Sequence, residues 1–222
     1  MRLLINTVFG ALLALLLISP AFADAAGKAQ GVDPQAGAAL SGETRTLIVG
    51  SDIFLGDKIT TGPQGQVQIL FADNTKLVIG PNSALTIDDY LLRNDGSAGK
   101  LVIDLLGGSF RFATGDSPKA AYQVNTPTGT IGVRGTKYDV YVDWVTHIAY
   151  VMVYTGQVLL NQETERQQTV LAGFCHIGII DTDDTELLGS SNDIFGEQRE
   201  DLKGWFMFSL NQSSLLNQYR FG

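Results

Sequence analysis

Gln66-Val67-Gln68-Ile69-Leu70-Phe71-Ala72-Asp73-Asn74-Thr75-Lys76-Leu77-Val78-Ile79-Gly80-Pro81-Asn82-Ser83-Ala84-Leu85-Thr86-Ile87 is the stretch whose reading decides the fold class. Val67, Ile69 and Phe71 recur at every second residue, with Gln66 and Gln68 among the residues between them. That period places the apolar side chains on one face of a strand. Ala72-Asp73-Asn74-Thr75 then reads as a turn, and Leu77 with Ile79 as the next strand. Gly80-Pro81-Asn82-Ser83 turns again, and Leu85 with Ile87 resumes the pattern.

The same texture runs outward in both directions. Leu101, Ile103 and Leu105 alternate, as do Phe110 and Phe112, Ile131 and Val133, Tyr138, Val140 and Val142, and Val151 and Val153. Between them stand Gly56-Asp57, Asn94-Asp95-Gly96, Gly107-Gly108, Thr114-Gly115-Asp116 and Thr155-Gly156, each with a residue that tolerates positive φ. No stretch from Arg45 to Ile180 carries a sustained 3.6-residue period with helix caps. The predicted class is all-β over 45–180. A strand about every ten residues suits a sandwich, a barrel or a solenoid, and pattern alone does not choose among them.

The ends read differently. Residues 1–23 have a minimal basic start at Arg2, an apolar run from Leu3 to Ile18, and Ala21-Phe22-Ala23, the small-x-small pattern of a signal-peptidase site. The expectation is a cleaved export signal, with Ala21 and Ala23 at the cleavage site. The protein is then periplasmic, outer-membrane-associated or secreted, and its mature part has no integral membrane segment. Residues 24–44, rich in Ala and Gly, read as a flexible leader. Residues 181–222 read as a C-terminal extension that is partly helical, because Leu202, Trp205, Phe206 and Leu210 fall near helical spacing. Their aromatic stripe is expected to dock on the β domain.

Composition removes several function classes. The chain of 222 residues has a formal net charge of −8 and no clustered basic patch, so nucleic acid is not expected as a partner. Cys175 is the only cysteine, which excludes an intramolecular disulfide framework. Removal of residues 1–23 leaves about 200 residues, enough for a core without staples.

Several blocks, taken in order, carry a family resemblance. They are Gly56-Asp57-Lys58-Ile59-Thr60-Thr61-Gly62, the strand and turn through Asp73, and Gly80-Pro81-Asn82-Ser83. Thr126-Pro127-Thr128-Gly129-Thr130-Ile131-Gly132-Val133-Arg134-Gly135-Thr136 and Thr155-Gly156-Gln157-Val158 follow. Their order and spacing resemble the FecR (ferric-citrate-regulator) periplasmic domain family. The resemblance implies a twisted β domain, solenoid-like or sandwich-like. It also implies a signalling role in which the best-known members relay the state of a TonB-dependent outer-membrane receptor, through a membrane helix, to a sigma factor. Only Met1 and Arg2 stand ahead of the apolar run here, so direct sigma-factor contact is not expected. The expected partner is another envelope protein.

The motif residues Gly56, Asp57, Thr61, Gly62, Asp73, Gly80, Ser83, Thr126, Pro127, Arg134, Gly135 and Thr136 are read as mainly structural. Asp57 and Asp73 adjoin turns, where a carboxylate accepts local N–H bonds. Arg134, between Gly132 and Gly135, either ties adjacent strands or offers its five donors to an anion. No cofactor, metal or catalytic set is expected. His147, His176 and Cys175 make a poor zinc set, Asp181 to Glu186 lacks the spacing of a calcium loop, and no nucleophile elbow is present. Tyr141 and Trp144 are the aromatics to inspect for the alternative reading, a glycan- or small-anion-binding sensor.

Overall fold

A computed structural model describes residues 25–190, apart from 94–95, 97, 162–168, 173–175 and 182–184. Among these residues the regular structure is strand throughout, except for one 3₁₀ turn at Lys119–Ala121. The strands are β1 (Ala25–Asp33), β2 (Ala36–Leu40), β3 (Glu43–Thr46), β4 (Asp52–Phe54), β5 (Lys58–Thr61), β6 (Gln66–Phe71), β7 (Lys76–Ile79) and β8 (Ala84–Leu92). There follow β9 (Ala98–Ala113), β10 (Tyr122–Thr126), β11 (Gly129–Val142), β12 (Ala149–Leu160), β13 (Thr169–Ala172), β14 (His176–Ile180) and β15 (Thr185–Ser190). The all-β expectation is met.

Three long strands change partners midway, and this makes two layers out of one hydrogen-bonded sheet. The first half of β9 pairs with β8 and, in parallel, with β10, while its second half pairs with β7 and β11. β11 moves from β10 to β9, and β12 pairs first with β14 and then with β13. One layer therefore runs β3-β2-β5-β8-β9-β10-β11-β12-β13 and the other β4-β1-β6-β7-β9-β11-β12-β14-β15. The strands that change partners join the two layers at their corners, and the extra β9–β11 pairing closes them into a barrel-like core with further strands added to it. Glycines make two of the corners. Gly135 and Gly156 both have positive φ, and a Cβ on Gly156 would strike the Gly135 carbonyl oxygen.

One core lies between the layers. Ile59, Leu85, Ile87, Leu101 and Ile103 from the first layer meet Val67, Ile69, Phe71, Leu77, Phe110 and Val151 from the second, all at most 2% exposed. Phe112 and Tyr138 stack within it at 4.9 Å.

The leader expected over 24–44 is instead sheet. β1 lies between β4 and β6, and β2 between β3 and β5. Ala and Gly offer little apolar surface, but here smallness is what fits. Ala26, Ala29, Ala36 and Ala38 are buried, and a Cβ on Gly27 would stand 2.6 Å from the Leu70 carbonyl oxygen. Past Ile180, Thr185 and Glu186 of the acidic run enter β15 rather than an acidic turn. The cleavage residues Ala21 and Ala23, Cys175 and the helical stretch expected after Asn192 lie outside the described residues.

Candidate functional site

The two motif carboxylates are buried and internally bonded. Asp57, 0% exposed, follows the positive-φ Gly56 in the β4–β5 turn. It accepts the Phe54 N–H at 2.7 Å and both terminal nitrogens of Arg45, Nη1 at 2.7 Å. Arg45 also donates to the Asp52 carbonyl at 3.1 Å and lies over the Phe54 ring. Hydrogen bonding to Asp57 holds the Arg45 guanidinium above its ordinary range.

Asp73 organises a larger network. Its Oδ1 accepts the Thr75 N–H at 3.1 Å, and its Oδ2 accepts three hydroxyls: Thr75 at 2.9 Å, Ser117 at 2.7 Å and Tyr122 at 2.7 Å. Each hydroxyl in turn accepts a backbone N–H, from Gly115, Ala98 and Ser117 respectively. Burial raises the Tyr122 hydroxyl, and burial with the Asp73 charge pushes that of Tyr90 up to about 12. Tyr122 thus stays a donor at neutral pH. A Ser–Asp contact is also what an activated nucleophile displays, but Ser117 is 7% exposed and its oxygen is occupied by the Ala98 N–H.

Thr61, Gly62, Gly80 and Ser83 meet at one end of the fold. The Thr61 hydroxyl donates to the Gly80 carbonyl at 2.6 Å and accepts the Ser83 N–H at 3.0 Å. The Ser83 hydroxyl accepts the Ser109 N–H at 2.9 Å, and the Gly62 carbonyl accepts the Asn82 N–H at 3.0 Å. Thr61→Val keeps the shape and removes both hydroxyl bonds from a buried site. The expected loss is about 1–2 kcal/mol, read from the urea midpoint at unchanged slope.

On this turn rests Trp144, from the β11–β12 loop. Its indole Nε1 donates to the Asn82 carbonyl at 2.9 Å, and its ring covers Gly107, where a Cβ would collide with it. The loop is pinned by Asp143 Oδ1, which accepts the N–H groups of Thr146 at 2.7 Å and Val145 at 2.8 Å. These bonds hold the Asp143 carboxyl below its usual range. Trp144 remains 48% exposed and Val145 86%. Tyr141 lies elsewhere, on the outer face of the second layer against Tyr150, so the two aromatics do not form one groove.

The third motif block is a turn and a corner. The Thr126 hydroxyl donates to the Gly129 carbonyl at 2.9 Å and accepts its N–H at 3.1 Å, closing the turn through Pro127. Thr136, 3% exposed, donates to the Gln157 carbonyl at 3.2 Å beside the Gly135 corner. Arg134 pairs through its backbone with Gln157, and its side chain lies outside the described set.

The FecR protein family model matches residues 57–159, which hold nearly every residue just described. Residues 57–159 are a FecR domain. The match places them with envelope signalling and regulatory domains. No curated protein matches the chain. Two crystal structures of a candidate anti-sigma factor from Parabacteroides distasonis, at 1.65 and 2.50 Å, are similar at 14% identity, with TM-scores of 0.48 and 0.47. The alignments cover 62% of this chain and 62% of each of those chains.

The FecR domain also contains a polar cluster that the sequence did not signal. Arg111 on β9 faces Asp139 on β11, with Nε to Oδ1 at 2.7 Å and Nη2 to Oδ2 at 2.8 Å. Tyr154 on β12 donates to Asp139 Oδ2 at 2.7 Å and accepts from Arg111 Nη2 at 3.0 Å. The signal available was positional: Arg111 and Asp139 occupy the off-core positions of strands whose on-core positions were already assigned.

Proposed function

We propose that this FecR domain is an exported, non-enzymatic interaction module that binds another envelope protein through the Trp144–Val145 end of the fold. The observation that carries the reading is a contrast. The motif carboxylates and hydroxyls are turned inward and bonded to the protein itself, whereas this loop holds apolar side chains out on a rigid seat. Fixed aromatic surface of this kind loses little conformational freedom on association. The hydrogen-bonded turn beneath it keeps the surface pre-formed.

The sensor reading has less support. Arg45 and Arg111 each bond a carboxylate, and a hollow lined by Thr75, Leu101, Phe112, Tyr122 and Tyr138 has room for about one water rather than a ligand. Drug-sized ligand sites run to several hundred Å³.

A photo-crosslinking amino acid at Val145, in the full chain expressed in its native cells, tests the proposal. An 86% exposed position tolerates the change within about 0.5 kcal/mol. The expected result is one discrete adduct with an envelope protein, lost on Trp144→Ala in a variant that still unfolds cooperatively well above the growth temperature. Diffuse labelling that Trp144→Ala does not alter overturns it, as does a thermal shift with glycans in place of any adduct.

A further inference from the structure

The outer face of the second layer carries a row that runs in register across six strands: Ile177, Met152, Asp139, Arg111, Val78 and Gln68. All point away from the core, since their strand neighbours Val151, Val140, Phe110, Leu77 and Ile69 point into it. Yet Ile177 and Val78 are 0% exposed, Gln68 and Asp139 1% and Met152 6%. Tyr141, Ile148, Tyr154 and Ile179 pack beside Tyr150, Met152 and Ile177 as a second apolar cluster. The outer face of the other layer is more open: Lys58 and Thr60 are exposed and Asp104, Gln123 and Thr130 half-buried, with Val102 buried among them. Neighbours on one sheet face shield one another's flanks and not their tops, so a row buried to this depth needs a covering layer. Every described strand already belongs to one of the two layers.

We propose that the chain's own C-terminal segment, residues 191–222, lies across this face and sets its aromatic stripe on Tyr150, Met152 and Ile177. Five inter-strand steps of about 4.8 Å make the row about 24 Å long. A segment of about thirty residues is long enough for that, since about sixteen residues of helix cover the distance. The segment leaves from Ser190 at the end of β15, the neighbour of β14, and so begins at the apolar end of the row. It carries Leu202, Trp205, Phe206 and Leu210, the apolar side chains that such a face would take. The other end of the chain is placed less well. β1 adjoins β6 at the polar end, near Gln68, with the apolar cluster four strands further on.

The chain has two tryptophans, so Trp144→Phe leaves Trp205 as the only reporter. In that variant Trp205 emission is expected to be blue-shifted, with acrylamide quenching several-fold weaker than for free tryptophan. Adding Met152→Arg is expected to return the quenching towards the free value. A benzoylphenylalanine at the half-buried Tyr141 is expected to crosslink to the tryptic peptide 204–220 of the same chain, and this arm decides the matter if Met152→Arg does not fold. Fully quenched Trp205, crosslinks to residues 1–24, or crosslinks between two copies would each overturn the proposal. The readouts are intramolecular, so they stand apart from the partner reading at Val145.

Discussion

Asp73→Ala is expected to lower the unfolding free energy by about 4 kcal/mol, the largest loss from any change to the motif residues. The substitution removes an acceptor that satisfies three hydroxyls and one N–H in a site where Asp73, Thr75, Ser117 and Tyr122 are 2–7% exposed. Bonds to a charged acceptor contribute about 1.5–3 kcal/mol each, and donors left buried without a partner add their desolvation cost. The three hydroxyls also hold the N–H groups of Ala98, Gly115 and Ser117. Loosening them releases the start of β9 and the loop that returns to β10. Asp73→Asn keeps an acceptor at one oxygen and is expected to cost about half as much. Urea unfolding at pH 7 checks both, and a loss below about 1 kcal/mol for Asp73→Ala would show that water replaces the carboxylate.

This network also shows why part of the protein was legible in its sequence. The position of Asp73 in a turn and its bond to the Thr75 N–H follow from local chemistry that any Asp-x-Thr turn shares. Its bonds to Ser117 and Tyr122 join residues more than forty positions apart, and no period or turn signal marks them. The same division holds for the fold. Alternation at Val67, Ile69 and Phe71 was enough to identify a strand, because one face of it is core. Alternation fails at Gln68 and Val78, which are buried on the opposite face, and there the chain reads as half-exposed when it is covered on both sides.

The leader failed for a related reason. Sequence composition measures how much apolar surface a segment offers, not how much room its site has. β1 and β2 run where backbones approach closely, so Ala and Gly are the residues that fit. Exposure was equally hidden: residue type does not separate Tyr141 from Trp144, and it is the loop held by Asp143 and the seat on Gly107 that bring Trp144 to the surface.

Arg111→Met is expected to cost about 3–5 kcal/mol, and its pH dependence identifies the cause. Asp139 is 1% exposed and takes two bonds from the Arg111 guanidinium, which is itself only 11% exposed. Burial already raises the Asp139 carboxyl above its usual range, and the guanidinium opposes that rise. Removing the guanidinium leaves a buried charge with the Tyr154 hydroxyl as its one remaining side-chain donor among the described residues, and breaking one side of such a pair carries the penalty named above. The Asp139 carboxyl then moves further up. Between the ordinary carboxylate range and that raised value the folded chain holds a proton that the unfolded chain does not. Stability therefore falls as pH rises through this window. Arg111→Met should be measurably more stable at pH 5 than at pH 8, by urea midpoint. Arg111→Met with Asp139→Leu replaces both charges by apolar groups, so it should recover most of the loss and lose the added pH dependence. A single variant with no such dependence, or a double variant as unstable as the single, would mean that Arg111 acts by packing over Tyr154, 5.0 Å from its ring, rather than by charge.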